Sequence, residues 1–285
     1  MFWYALLNGL TFGGLIYISS SGLSLAFGLL RIVNLSHGSL YLLSGYIALS
    51  IYKFTNSWWL SLAAASLAGF AASLILYTGL IYRQRFRDND LAQTLLTLAI
   101  ALGLAEICLL IWGGRPQALR APDVFRLPVR IFTIPFSRYR LFMLLVSCFI
   151  IVFLWLFLTK TKIGLLIRAG IDDREMVKCL GVNIHKIFLW TFALSGLLAG
   201  IAGVIGGTLT MLAPGEDWRI LMFTVVAVIL GGLGSFWGAV LSSFLTGLLY
   251  SFGTFYFAEF ALFMLFVPVA VLITVRPYGL FGKEM

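Results

Sequence analysis

Few residues in this chain could do chemistry, and they fall in three places. Asn34 and His37 stand three apart in the segment Gly28-Leu-Leu-Arg31-Ile-Val-Asn34-Leu-Ser-His37-Gly38, between two apolar runs. On a helix they would share a face. Glu106 is a lone carboxylate inside the apolar run 91–112. Asp172, Asp173, Arg174, Glu175, Lys178 and Lys186 crowd one polar stretch, interleaved with Ile171, Met176, Val177, Leu180 and Ile184. None of these makes a catalytic set. The chain has no Walker A pattern, so it does not bind ATP in the P-loop manner by itself, and it has no HExxH, GxSxG or CxxC motif. Cys108, Cys148 and Cys179 lack paired spacing and read as small apolar fillers, not as a disulfide framework or metal site. No cofactor is expected.

The elements that must position these groups follow from composition. Of 285 residues, 61% are hydrophobic and 11% charged, and the mean hydropathy is +1.02. A soluble domain carries about 25% charged residues. So few charges cannot cover a water-soluble surface, and apolar runs recur from end to end. The class is an all-α polytopic membrane protein, a single transmembrane domain over 1–285. Runs at 3–30, 40–52, 58–82, 91–112, 141–158, 187–212, 220–230, 236–257 and 260–275 make about eight or nine spans on a rule of ~20 residues each. Some are broken, and 220–230 is short enough for a half-helix. The first charged side chain is Arg31, so the first run lacks the basic start of a signal peptide and reads as a retained span. The net charge of +9 belongs to loops and headgroups and does not suggest nucleic acid.

The polar stretch at about 165–186 is too charged to cross a bilayer and too periodically apolar for a loose tail. It reads as a short amphipathic helix at the membrane face, with one side open to a soluble partner. The loop 113–140, with four prolines, shows short extended pieces around Val129, Ile131 and Phe132. That loop holds six arginines against one acid, and 160–186 holds six cations against three acids. One span separates them, so they face opposite sides. An outside N-terminus and nine spans put 83–90, 160–186 and the C-terminus inside and leave the arginine-rich loop outside, against the usual charge bias. Trp58 and Trp59 read as interfacial anchors.

Asn34 and His37 carry two readings: a polar pair satisfying a broken helix end, or lining groups on a translocation path. Glu106 is either a headgroup-level residue near Trp112 or a proton-coupling group. Gly196, Gly200, Gly203 and Gly207 form one stripe for helix packing, and Gly9 and Gly13 a second close-approach pair. Gly231, Gly232 and Gly234 mark a helix break.

These residues resemble a known family. Glu175-Met176-Val177, three residues, then Gly181 keeps the spacing of the coupling segment of ABC importer permeases, with larger residues at its two alanines. Gly28, Arg31, Asn34, His37 and Gly38 fit the first motif of the LivH-type branched-chain amino acid permeases. Asp173-Arg174-Glu175 with Gly181-Val182-Asn183, then Ser195-Gly196 to Ala202-Gly203, then Gly231-Gly232-Leu233-Gly234-Ser235, are similar to that family's later signatures, in the same order. The resemblance implies a membrane subunit of an ATP-driven importer in a bacterial-type cytoplasmic membrane, translocating branched-chain or other hydrophobic amino acids by alternating access. It implies cytoplasmic ATPase subunits docked on Asp173, Arg174, Glu175, Met176, Leu180 and Gly181, a second permease subunit, often non-identical, and an extracytoplasmic binding protein. Relatives that move urea or short amides are the alternative within the class. The segment between Trp218 and Leu230 has only Arg219 where many relatives carry a lysine. An ion-coupled secondary transporter or channel is the competing class.

Overall fold

The computed structural model describes residues 2–30, 33–81, 90–131, 134–276 and 278–282. Arg31, Arg83, Arg85, Arg87 and Phe132 lie outside the described residues. The helices in chain order are α1 (Phe2–Leu30), α2 (Ser36–Thr55), α3 (Trp58–Leu76), α4 (Asp90–Trp112), α5 (Arg138–Lys160), α6 (Lys162–Asp172), α7 (Arg174–Cys179), α8 (Ile184–Thr210), α9 (Glu216–Gly231), α10 (Phe236–Tyr256) and α11 (Ala261–Val275). Among the described residues, seven are long and apolar enough to cross a membrane; α2 and α9 are packed inside that bundle. Between α4 and α5, strands β1 (Pro128–Ile131) and β2 (Ile134–Ser137) pair antiparallel with Val129 opposite Phe136. These are the short extended pieces expected there.

α1 is the axis of the bundle, packed by α10, α8, α5 and α9. Its small residues let the neighbours approach. A Cβ at Gly9 would lie 2.9 Å from the Leu248 Cα, and one at Gly13 2.8 Å from the Phe244 Cα, both on α10. In an apolar solvent, where burial gains little, such backbone proximity supplies the packing energy.

α8 uses glycine the same way, but its stripe does not face one partner. Gly196 and Gly200 abut α3, where added Cβ atoms would lie 2.5 Å from the Gly69 oxygen and 2.9 Å from the Ser66 Cα. A Cβ at Gly203 would overlap the Tyr41 carbonyl of α2, and one at Gly207 would press on the Leu212 side chain at 2.8 Å. Steps of four, three and four stay close to the 3.6-residue turn, so the row keeps one face of α8 while the neighbour packed on that face changes from α3 to α2 along its length.

Both ends of the bundle are defined by contacts. Gln117 pairs with Leu212 beyond the C-terminus of α8, and Lys53 donates to the Gln117 side chain at 2.9 Å, so the described part of the 113–137 loop sits at that end. α6 and α7 precede α8 at the opposite end, where Leu280 and Phe281 bond Leu230 and Gly231. The arginine-rich loop and the polar stretch thus lie at opposite ends. Arg140 donates to Asn8 near the start of α1, and Arg126 pairs with Asp123.

Three sequence expectations need correction. The polar stretch is not one helix: Asp173 adopts an extended conformation (φ −150°) and separates α6 from α7. α5 begins at Arg138, inside the expected loop, because the Arg138 and Arg140 side chains extend from a helical backbone. Trp58 is buried against Tyr139 and Phe142, donating from Nε1 to Thr208 at 3.1 Å, so only Trp59 faces outward.

Candidate functional site

The first candidate region is the α6–α7 turn. Thr161 caps α6 by accepting from the Gly164 amide at 3.0 Å. Asp173 caps α7, its Oδ1 accepting from the amides of Glu175 at 2.9 Å and Met176 at 3.0 Å. A carboxylate there satisfies donors that a helix start leaves unpaired and opposes the positive end of the helix dipole. The Lys178 ammonium donates to Glu175 Oε1 at 2.6 Å. Gly181 has φ +75° with open space around it, a left-handed end that ordinary side chains resist. Asn183 then caps α8 through the amides of His185 and Lys186.

This turn has two faces. Val177 is buried in the core and fixes the turn to the bundle. Met176 and Leu180 are 59% and 72% exposed and stand one turn apart on the outer side. Val177 follows Met176 by one residue, about 100° round the helix, and that step turns it from the exposed side into the bundle. His185 is half-buried with its ring edge-on to Phe188.

The second region lies inside the bundle, where two helices begin. α2 follows the non-helical segment 33–35, and α9 follows the non-helical segment 211–215, in which Met211 and Gly215 have positive φ. Their first turns meet. A Cβ at Gly38 would overlap the Asp217 carbonyl, and Ser39 Oγ lies 3.3 Å from Asp217 Oδ2. His37 is fully buried, with Nε2 3.0 Å from the Ser19 carbonyl and Nδ1 3.3 Å from Ser195 Oγ. A carbonyl only accepts, so Nε2 carries a hydrogen and donates to it. Ser19 is well inside α1, so α2 starts at depth and not at the bundle's end.

Asn34 Oδ1 accepts from the Ser36 amide at 3.2 Å and the Ser36 hydroxyl at 2.6 Å, closing the start of α2. Among the described residues, Asn34 Nδ2 and Asp217 Oδ1 are buried without a hydrogen-bond partner. Thr224 donates to the Ser19 hydroxyl at 3.0 Å. Interrupted helices with polar ends facing inward are a form transporters use to place polar groups at membrane depth.

Sequence reasoning named Asn34 and His37 but missed Asp217, Ser39, Ser19, Ser195 and Thr224. The signal was present for Ser19, which opens a run of three serines inside an apolar span. α9 ends at Gly231, with Gly232 and Gly234 at φ +97° and +78° before α10. Gly234 lies against Gly28 of α1, a Cβ on it falling 2.9 Å from the Gly28 Cα. Glu106 is exposed on α4 and makes no ion pair among the described residues.

A bundle of interrupted helices with a capped amphipathic turn at one end is the form of a transport permease. The chain belongs to the family described as branched-chain amino acid transport system / permease component, which matches residues 5–275. It is 26% identical to the high-affinity branched-chain amino acid transport system permease protein BraD of Pseudomonas aeruginosa, over 98% of this chain and 95% of that protein. It is 24% identical to the corresponding LivH protein of Escherichia coli, over 97% and 94%. Among solved structures it is similar to PsaBC from Streptococcus pneumoniae in complex with Fab, with a TM-score of 0.51 and 15% identity over 94% of this chain and 89% of that one, a likeness of fold.

Proposed function

We propose that this chain is the membrane-spanning subunit of an ATP-driven importer of branched-chain or other hydrophobic amino acids, working by alternating access in a cytoplasmic membrane. The observation that carries the reading is the α6–α7 turn: Val177 holds it to the bundle while Met176 and Leu180 stay exposed beside Glu175. A push on the outer row can reach the bundle because the turn is clamped to α8 and is rigidly capped at Asp173. ATPase subunits would supply that push, a second permease subunit would complete the pathway, and an extracytoplasmic binding protein would deliver substrate. In this reading Asn34 and His37 sit beside the translocation path, where the starts of α2 and α9 meet.

The test is uptake of labelled leucine into proteoliposomes containing the chain with its ATPase and receptor partners. Uptake that needs ATP hydrolysis supports the reading. Uptake by this chain alone, driven by an ion gradient, rejects it in favour of a secondary transporter. A panel including urea and short amides decides the substrate class.

A further inference from the structure

A cavity of about 120 Å³ opens beside the ends of α1 and α5. It exists because α5 packs on α1 and α6 while α10 packs on α1, α9 and α11, so a stretch of α1 is seen through the gap between α5 and α10. Its deep part is formed by Ser24, Leu25, Leu154 and Leu158, all buried; Phe236 and Arg168 stand toward its open side. A dry apolar cavity of about 150 Å³ holds a benzene molecule, so this one has room for the first part of one acyl chain. The Arg168 side chain is exposed and makes no ion pair among the described residues. Arg168 is the one cation among the residues that line the cavity.

Apolar walls that end in an unpaired cation at the limit of a membrane bundle match one chemistry, an anionic phospholipid. We infer that this cleft binds one, an acyl chain lying against Leu25, Leu154 and Leu158 and the phosphate held by Arg168. A guanidinium suits the phosphate because its planar donors bond two oxygens at once. Cationic pockets between helices at a membrane face hold acidic headgroups for this reason. The site is separate from the outer row of the α6–α7 turn but shares α6 with it, so an occupied cleft would brace the base of that turn.

The experiment is native mass spectrometry of the purified multi-subunit assembly, delipidated and titrated with phosphatidylglycerol or with phosphatidylcholine of the same acyl chains. The wild type should retain phosphatidylglycerol about fivefold more strongly than phosphatidylcholine per engaged cation. Arg168→Gln should abolish most of that preference, Arg168→Lys should keep much of it, and Arg138→Gln at the opposite end should leave it intact. Glycerol phosphate, which lacks the acyl chains, should not displace the lipid. Equal retention of the two lipids by the wild type, or an unchanged preference in Arg168→Gln, overturns the inference. So does displacement by L-leucine, which would make the cleft an amino acid site, or a protein side chain filling it in the assembly.

Discussion

Ser39 Oγ and Asp217 Oδ2 lie 3.3 Å apart and join two helices that both begin inside the bundle. The same hydroxyl is 3.0 Å from the Ala101 carbonyl of α4, so three helices converge on one side chain. An acid buried at 2% exposure with one oxygen unpaired is costly at membrane depth, and function is the usual reason it persists.

Asp217→Asn separates function from structure. Ser39 keeps the Ala101 carbonyl as acceptor, and an amide oxygen can still accept from it, so the stability cost is small, under about 1 kcal/mol. Uptake should nevertheless fall about tenfold, a rise of roughly 1.4 kcal/mol in the barrier to transport. Equal thermal stability with much reduced uptake is the expected result. Unchanged uptake assigns Asp217 to the fold alone.

His37 holds the start of α2 through both ring nitrogens. His37→Ala removes both of these buried hydrogen bonds, each worth about 0.5–1.5 kcal/mol. The detergent-solubilised variant should unfold at lower temperature than wild type. His37→Gln, which can donate to Ser19, should recover part of the loss. Wild-type stability in His37→Ala removes the anchoring role.

The glycine contacts give a paired prediction. At Gly203 an added methyl would meet the Tyr41 carbonyl, a backbone atom that cannot swing aside. Gly203→Ala should therefore separate α8 from α2, costing about 1–3 kcal/mol as overpacking does. Gly103, on α4, has nothing within 4 Å of the Cβ position. Gly103→Ala should be neutral or stabilising by up to about 1 kcal/mol, since alanine is the better helix former. Thermal unfolding of the two variants side by side checks both.

How far the fold could be read in advance depended on which signals survive in an apolar chain. The membrane class and span positions follow from run length. The break before α2 was legible because Arg31, Asn34 and His37 cannot all hide in one apolar helix. Asp217 was not, because Ala213-Pro214-Gly215-Glu216-Asp217 has the composition of a surface turn, and only topology carries it inside. The partners of Ser20 and Ser21 were not legible because serine hydroxyls can bond back to their own helix, as these do at Tyr17 and Ile18, and the further bond from Ser20 to Ser243 leaves no trace in periodicity. The inward direction of Val177 was not legible because a six-residue helix is too short for its apolar face to be unique.

The α6–α7 turn carries the final prediction, Glu175→Lys. Glu175 is exposed, and its pair with Lys178 spans one helical turn in solvent, worth about 0.3–0.5 kcal/mol. Reversing the charge therefore leaves the fold intact, and the Asp173 cap is untouched because it binds the amide of residue 175, not its side chain. What changes is the electrostatic pattern beside Met176 and Leu180, which a docking ATPase would read. The variant should reach the membrane at wild-type level and assemble more weakly with its ATPase subunits. Leucine uptake should fall at least about tenfold, while ATP hydrolysis by the recovered assembly loses its response to the receptor. Met176→Ala and Leu180→Ala should reproduce the defect without any change of charge. Normal uptake in all three variants would mean that force does not enter through this turn.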